Sequence, residues 1–333
     1  MSKKVSYLLS AKISEICKIV ETLPIRCYNI CMEKELKKYE TISFFAKEWG
    51  MSERSVRNYC ANDRINGAKL IGKTWYIPMN ARKPKRINKS NIKKNDLLDR
   101  ILKEKRGRIS GGIYHKIQIE LTYNSNHIEG SKLTHEETRY IFETKTIDKG
   151  KTKNVDDVIE TSNHFKCVDV CLDNANHKLS ETFIKKLHFI LKNGTTDSRI
   201  SWFKVGDYKK LPNEVSGRMT TEPGKVSAEV KKLLSKYNAK SKHTLEDLID
   251  FHYNFEIIHP FQDGNGRVGR LILFKECLKN DIVPFIITDE LKYYYYRGLS
   301  KWKKEKRYLF DTCLTAQDEF KKILDYFNIK YKE

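Results

Sequence analysis

The 333-residue sequence predicts a mainly α-helical chain with a small mixed unit near its front. Three observations carry this. From Leu97 onward, apolar residues recur at helical spacing almost without interruption. The one break runs from Val205 to Lys225, where Gly206, Pro212, Gly217, Pro223 and Gly224 cluster, and a β-hairpin or ordered loop fits there. Ahead of the helical body, residues 39–80 combine two short helical patterns with two strand-like runs. The expected order is a helical extension over 1–38, the small unit over 39–80, a linker over 81–96 and an all-helical domain with a hairpin over 97–333. Met32 offers a second start, which would make residues 1–31 optional.

The elements of the small unit follow from local chemistry. Thr41 precedes Ile42, Phe44, Phe45, Ala46 and Trp49, and Gly50 closes that helix. Ser52 caps a second helix whose inner face carries Val56 and Tyr59. Leu70-Ile71-Gly72-Lys73-Thr74-Trp75-Tyr76-Ile77-Pro78 reads as two strands around a Gly-Lys turn. Helix, turn, helix and hairpin is a winged helix-turn-helix plan. The linker holds Arg82, Lys83, Lys85, Arg86, Lys89, Lys93 and Lys94 with almost no apolar side chain.

Charge is unevenly placed. The net is +21, of which +15 falls in residues 1–110 and +6 in the rest. A basic front third predicts an acidic partner such as nucleic acid. No run of about 18 apolar residues exists, so no membrane partner is expected. The eight cysteines form no C-x-x-C pair, and Cys27/Cys31 and Cys167/Cys171 are spaced as helical core thiols. With no secretory signal, a reducing cytoplasm is expected.

The chemistry concentrates in residues 259–270, His-Pro-Phe-Gln-Asp-Gly-Asn-Gly-Arg-Val-Gly-Arg. A helix runs up to His259 and Pro260 ends it. Asp263-Gly264-Asn265-Gly266 is a tight turn that aims backbone N–H groups at one point, and a new helix follows from Arg267. A glycine turn at a helix N-terminus is an anion site. Arg267 and Arg270, three apart, share a helix face and reach the same anion. One His, one Asp, such a turn and two Arg suit a polyphosphate with a magnesium ion.

This segment matches the Fic family signature HPFx[DE]GNGRxxR at every fixed position. The resemblance extends over about residues 97–320, including Val205-Gly206-Asp207-Tyr208 and Tyr293 to Arg297. It implies an all-helical Fic fold with a hairpin flap over roughly Glu214 to Thr221, and transfer of AMP from ATP to a hydroxyl on a protein, the enzyme itself included. It makes His259 the general base and gives Asp263 to Mg²⁺. It assigns Gly264, Asn265 and Gly266 to the anion hole and Arg267 and Arg270 to the β- and γ-phosphates. Val268 and Gly269 fall within the same ATP-binding stretch, Phe261 anchors the loop, and Tyr295 and Tyr296 line the nucleotide pocket. Transfer of UMP or phosphocholine, and a transcription regulator whose Fic body senses nucleotide, are the alternatives.

Residues 124–130 read Asn-Ser-Asn-His-Ile-Glu-Gly, with Ser125 and Glu129 on one helix face, Gly130 at the helix end and Thr134 starting the next helix. They resemble the family's inhibitory pattern [ST]xxxE[GN]. That resemblance implies an ion pair from Glu129 to Arg270, with Ser125 orienting Glu129, which competes with the γ-phosphate. Such relatives also remove AMP. Residues 41–80 resemble excisionase- and MerR-like modules at Ser55-Val56-Arg57, Asp63 to Ala68 and Trp75 to Pro78. That implies DNA contacts from Arg54, Arg57 and Asn58 on a recognition helix and from Lys73 on the wing. A homodimer is compatible with the sequence.

Overall fold

The structure is a computed structural model and describes residues 38–61, 64–71, 74–84, 96–147, 152–215 and 217–331. The helical extension expected over 1–38 falls, apart from Lys38, outside the described residues, as do Lys73 and most of the basic linker. The chain divides into two units between residues 92 and 93.

In the first unit, β1 (Tyr39–Thr41) leads into α1 (Ile42–Glu48), and the Thr41 hydroxyl caps that helix by accepting from the Phe44 N–H. α2 (Glu53–Ala61) starts where the Ser52 hydroxyl accepts from the Ser55 N–H at 3.2 Å. The hairpin β2 (Lys69–Ile71) and β3 (Thr74–Pro78) follows, with Lys69 opposite Tyr76. β1 pairs antiparallel with β3, Tyr39 opposite Pro78, giving the sheet order β1-β3-β2. The third strand is not visible in the sequence, because three residues are too few to show an alternation. Phe45, Val56, Cys60 and Ile77 bury against one another as this unit's own core.

The second unit begins with α3 (Asp96–Gly107), α4 (Ile113–Ile128), α5 (His135–Thr144), α6 (Val155–Asp173) and α7 (Glu181–Lys192). An irregular stretch leads to the hairpin β4 (Glu214–Val215) and β5 (Arg218–Met219). Then come α8 (Pro223–Asn238), α9 (Leu245–Ile258), α10 (Asn265–Lys279), α11 (Lys292–Lys301) and α12 (Arg307–Tyr326). α10 is buried along nearly its whole circumference, from Asn265 to Leu278, and contacts α4, α6, α7 and α9. A helix buried all round is a central one, and here its N-terminus carries the arginines. Phe255, Phe261, Leu271, Phe274 and Leu309 lie in the core that surrounds it. Cys60, Cys167, Cys171, Cys277 and Cys313 are free and buried, and burial pushes their thiols up, so they pack and do not react. Among the described residues no helix is long and apolar enough to cross a membrane.

Candidate active site

α9 ends at His259, which adopts the left-handed conformation at φ 49° while its N–H still reaches the Phe255 carbonyl at 2.9 Å. Pro260 forbids a further turn. The chain then reverses to start α10 through Gly264 at φ +80°, a value that favours glycine. Asn265, only 1% exposed, clasps this reversal: its side chain accepts from the Phe261 N–H and donates to the Phe261 carbonyl, both at 2.8 Å. Its amide is therefore occupied in holding the loop, which adds a structural duty to the anion-hole role the sequence implies. Phe261 is fully buried and stacks on His188 with ring centres 4.0 Å apart. His188 Nδ1 accepts from the Gly206 N–H at 2.9 Å, so its Nε2 carries the proton and donates to the Asp263 carbonyl at 3.1 Å.

His259 sits in this corner largely shielded from water. Burial, then the charge of Lys209, holds its imidazole down at about 4, so it is uncharged at neutral pH. Its Nδ1 is buried, which leaves Nε2 as the nitrogen that can meet a substrate. Glu256 Oε2 lies 4.0 Å from that Nδ1. Burial pushes the Glu256 carboxyl up to about 8 against the pull of Arg270, so it is mostly protonated.

Two clusters of opposite charge hold the arginines. In the first, Lys192 Nζ donates to Glu160 at 2.5 Å, Asp263 Oδ2 at 2.7 Å and Asp197 at 2.9 Å. Arg267 joins Glu160 and also reaches Asp263 Oδ2 at 3.1 Å. Burial would raise the Asp263 carboxyl, but Arg267 and Lys192 keep it well below the usual carboxylate range. In the second, Arg270 Nε donates to the Ser125 hydroxyl at 3.0 Å, and Nη2 to the Ser125 carbonyl at 2.8 Å and Glu129 Oε1 at 2.7 Å. Ser125 thus bonds Arg270 and not Glu129, which corrects the orienting role expected for its hydroxyl. Burial disfavours the Arg270 charge, yet Glu129 more than offsets this and raises its pKa. Gly266 leaves room for the carboxylate, since a Cβ there would lie 2.3 Å from Glu129 Oε1. Glu129 therefore lies over the N-terminal turn of α10, where an anion would be held.

The other expected residues fall as follows. Glu129 caps α4, and Gly130 follows at φ +100°. Val268 is fully buried in the core, not facing an open site. Tyr295 is 1% exposed with its hydroxyl 2.6 Å from His252 Nε2, so it stands behind the site. Tyr296 does line a cavity of about 150 Å³ between the hairpin and α11, together with Val215, Met219, Tyr253, Glu256 and Ile257. No group of three or more His, Cys, Asp or Glu among the described residues is placed to hold a metal. A magnesium ion usually takes one or two carboxylates and completes its shell with phosphates and water, so the single ionised Asp263 fits that ion only alongside a phosphate substrate. In the first unit, Arg54, Arg57 and Asn58 lie on the exposed face of α2, opposite Val56 and Cys60. Lys192, Glu160, Lys209 and Glu256 are absent from the residues singled out in the sequence.

Residues 178–276 match the Fic/DOC family. The matched stretch runs from ahead of α7 through most of α10, so the Fic signature falls on the reversal and charge clusters just described. A protein adenylyltransferase Fic from Culex quinquefasciatus is 27% identical over 187 residues, covering 54% of this chain and 35% of that protein. The like-named protein from Aedes aegypti is 26% identical over 182 residues, covering 54% and 36%. The chain thus spans about a third of the length of these relatives. Among solved structures, a Fic domain-containing signaling protein from Bacteroides thetaiotaomicron superposes with a TM-score of 0.56 at 21% identity, over 72% of this chain and 99% of that one. Fic-1 from C. elegans gives 0.53 at 19% identity over 70% of each chain. The fold is the Fic fold, mainly helical with small hairpin sheets.

Proposed function

We propose that the chain is a protein adenylyltransferase whose resting state is held off by Glu129. The observation that carries this is one buried guanidinium, Arg270, clasped where an anion would sit by Glu129, a carboxylate whose charge also reaches the uncharged His259. In the reading, His259 Nε2 takes the proton of a target Ser, Thr or Tyr hydroxyl. The oxygen attacks the α-phosphate of ATP and pyrophosphate departs. Arg267 and Arg270 hold the terminal phosphates, and the backbone turn at Gly264 to Gly266 takes up developing negative charge. Asp263 would hold Mg²⁺, which supplies charge neutralisation at the phosphates when bound. The nucleoside lies against Tyr296, and the β4–β5 hairpin offers its edge to the target chain.

Glu129 competes with phosphate for a guanidinium. Wild-type protein incubated with ATP and Mg²⁺ should therefore gain little AMP by intact-mass spectrometry, and Glu129→Gly should gain it readily. Label from α-labelled ATP that enters His259→Ala at the rate of Glu129→Gly would overturn the mechanism. The first unit supports a second, separate activity: its exposed Arg54, Arg57 and Asn58 suit the major groove of DNA, with the neighbouring basic linker on phosphates.

A further inference from the structure

Lys209 is 2% exposed, yet among the described residues no carboxylate pairs with it. Its Nζ donates instead to Asn213 Oδ1 at 2.7 Å, Thr220 Oγ1 at 2.5 Å and the Ile258 carbonyl at 3.4 Å. Asn213 immediately precedes β4 and Thr220 immediately follows β5, so one ammonium group grips both arms of the hairpin. Ile258 is the last residue of α9 and its carbonyl belongs to the peptide that leads into His259. Two further bonds run the same way. The Lys209 N–H donates to the Pro260 carbonyl at 2.9 Å, and Asn213 Nδ2 donates to the Phe261 carbonyl at 3.1 Å. A buried ammonium is costly without partners, and neutral oxygens compensate it only when all are held in place.

We propose that Lys209 is a positioning residue: its ammonium group fastens both arms of the β4–β5 hairpin to the end of α9, and so fixes the hairpin relative to His259. Its effect on turnover rests on the adenylyl-transfer reading; its effect on the hairpin and on His259 does not. The charge has a second consequence. The groups facing His259 are Glu256 on α9, Glu129 at the end of α4, Asp263 in the following turn and Lys209. Lys209 brings positive charge among them, and it favours the uncharged imidazole that a general base requires. Burial brings the Lys209 amine itself down to about 8, so the fastening is complete below that pH and weakens above it.

The test uses the full chain without nucleotide. In Lys209→Met, the His259 ring should titrate higher by about one pH unit in histidine-detected NMR, because a nearby like charge is gone while burial remains. Amide exchange at Lys209 and Thr220 should rise about tenfold, with α6 unchanged, as expected of local rather than global opening. Lys209→Arg keeps the charge and should return His259 to its wild-type titration. Asn213→Ala should loosen the hairpin amides and leave the His259 titration in place, and it carries the test if Lys209→Met does not fold. Wild-type protection of Thr220 in the Lys209 and Asn213 variants would overturn the fastening, and an unmoved His259 in Lys209→Met would overturn the charge effect. If exchange and titration change as stated but Glu129→Gly transfers no AMP, the transfer reading fails and this one stands.

Discussion

Arg270 is held by three acceptors, and each would answer differently to mutation. Glu129 is the only one of them that brings negative charge. Its removal leaves a 5% exposed guanidinium without a counter-ion, a loss of about 3–5 kcal/mol for a fully buried pair and less here, because Glu129 is partly exposed. Glu129→Gly should therefore unfold at lower temperature than wild type in the absence of nucleotide. ATP should restore its stability by a larger shift than it gives wild type, since a phosphate replaces the missing carboxylate. Equal ATP shifts in calorimetry for the two proteins would count against competition at Arg270. Ser125→Ala behaves otherwise. It strips the Nε–H of a buried group of its acceptor, which costs about 1–3 kcal/mol of stability. Because the Ser125 hydroxyl bonds Arg270 Nε while Glu129 keeps its own bond to Nη2, the AMP yield of Ser125→Ala should stay near the low wild-type level.

At the scale of elements, the reversal between α9 and α10 shows what sequence can and cannot reveal. Residues 259–270 were legible because their structure is local: Pro260 stops a helix, Gly264 supplies the positive φ, and the arginines follow from helical spacing. Glu129 was legible only through the resemblance of residues 124–130 to the inhibitory pattern, because a glutamate at a helix end is ordinarily solvated; Gly130 and the capped start at Thr134 showed only that a helix ends there. Lys192, Glu160 and Lys209 were not legible, because the first two reach the site only through packing of α6 and α7 around the start of α10, and Lys209 only through packing of the stretch before the hairpin onto the end of α9. A lysine in a polar sequence carries no sign that it will be buried. The helix α2 was legible for the opposite reason, its two faces being sharply distinct. Arg54 and Arg57 are exposed, so exchanging both for Ala should leave stability within about 0.5 kcal/mol. In the full chain the double change should weaken DNA binding and relax its sequence preference, because the two arginines are assigned to base edges and the linker to phosphates. Unaltered binding in a gel-shift salt series would remove α2 from any DNA interface.

The whole molecule carries its site chemistry into its stability. Burial holds His164, His188 and His252 down at about 3 and His259 at about 4, against a value of 6.5 for a free imidazole. In the unfolded chain these rings protonate through pH 6.5, whereas in the native fold they stay neutral. Between about 6.5 and 4 the unfolded chain therefore binds more protons, and stability falls as the pH falls, by up to about 1.4 kcal/mol per pH unit for each ring. Glu256 works in the other direction. Its folded carboxyl titrates near 8 and its unfolded one near 4.5, so the native chain binds the extra proton, and stability contributed by that proton is lost as pH rises through 8. Four imidazoles outweigh one carboxyl below 6.5, while from there to 8 Glu256 is the one of these five still titrating differently in the two states. Denaturant midpoints measured across pH 4 to 8 should thus peak near 6.5 to 7, drop steeply on the acid side and gently towards 8, above which the lowered Lys209 amine works in the opposite direction. Glu256→Gln keeps the shape of a neutral carboxyl and cannot ionise, so it should flatten the alkaline slope and leave the acid one. An alkaline slope unchanged in Glu256→Gln would mean that Glu256 is ionised in the fold and that Arg270 has two carboxylates beside it, not one.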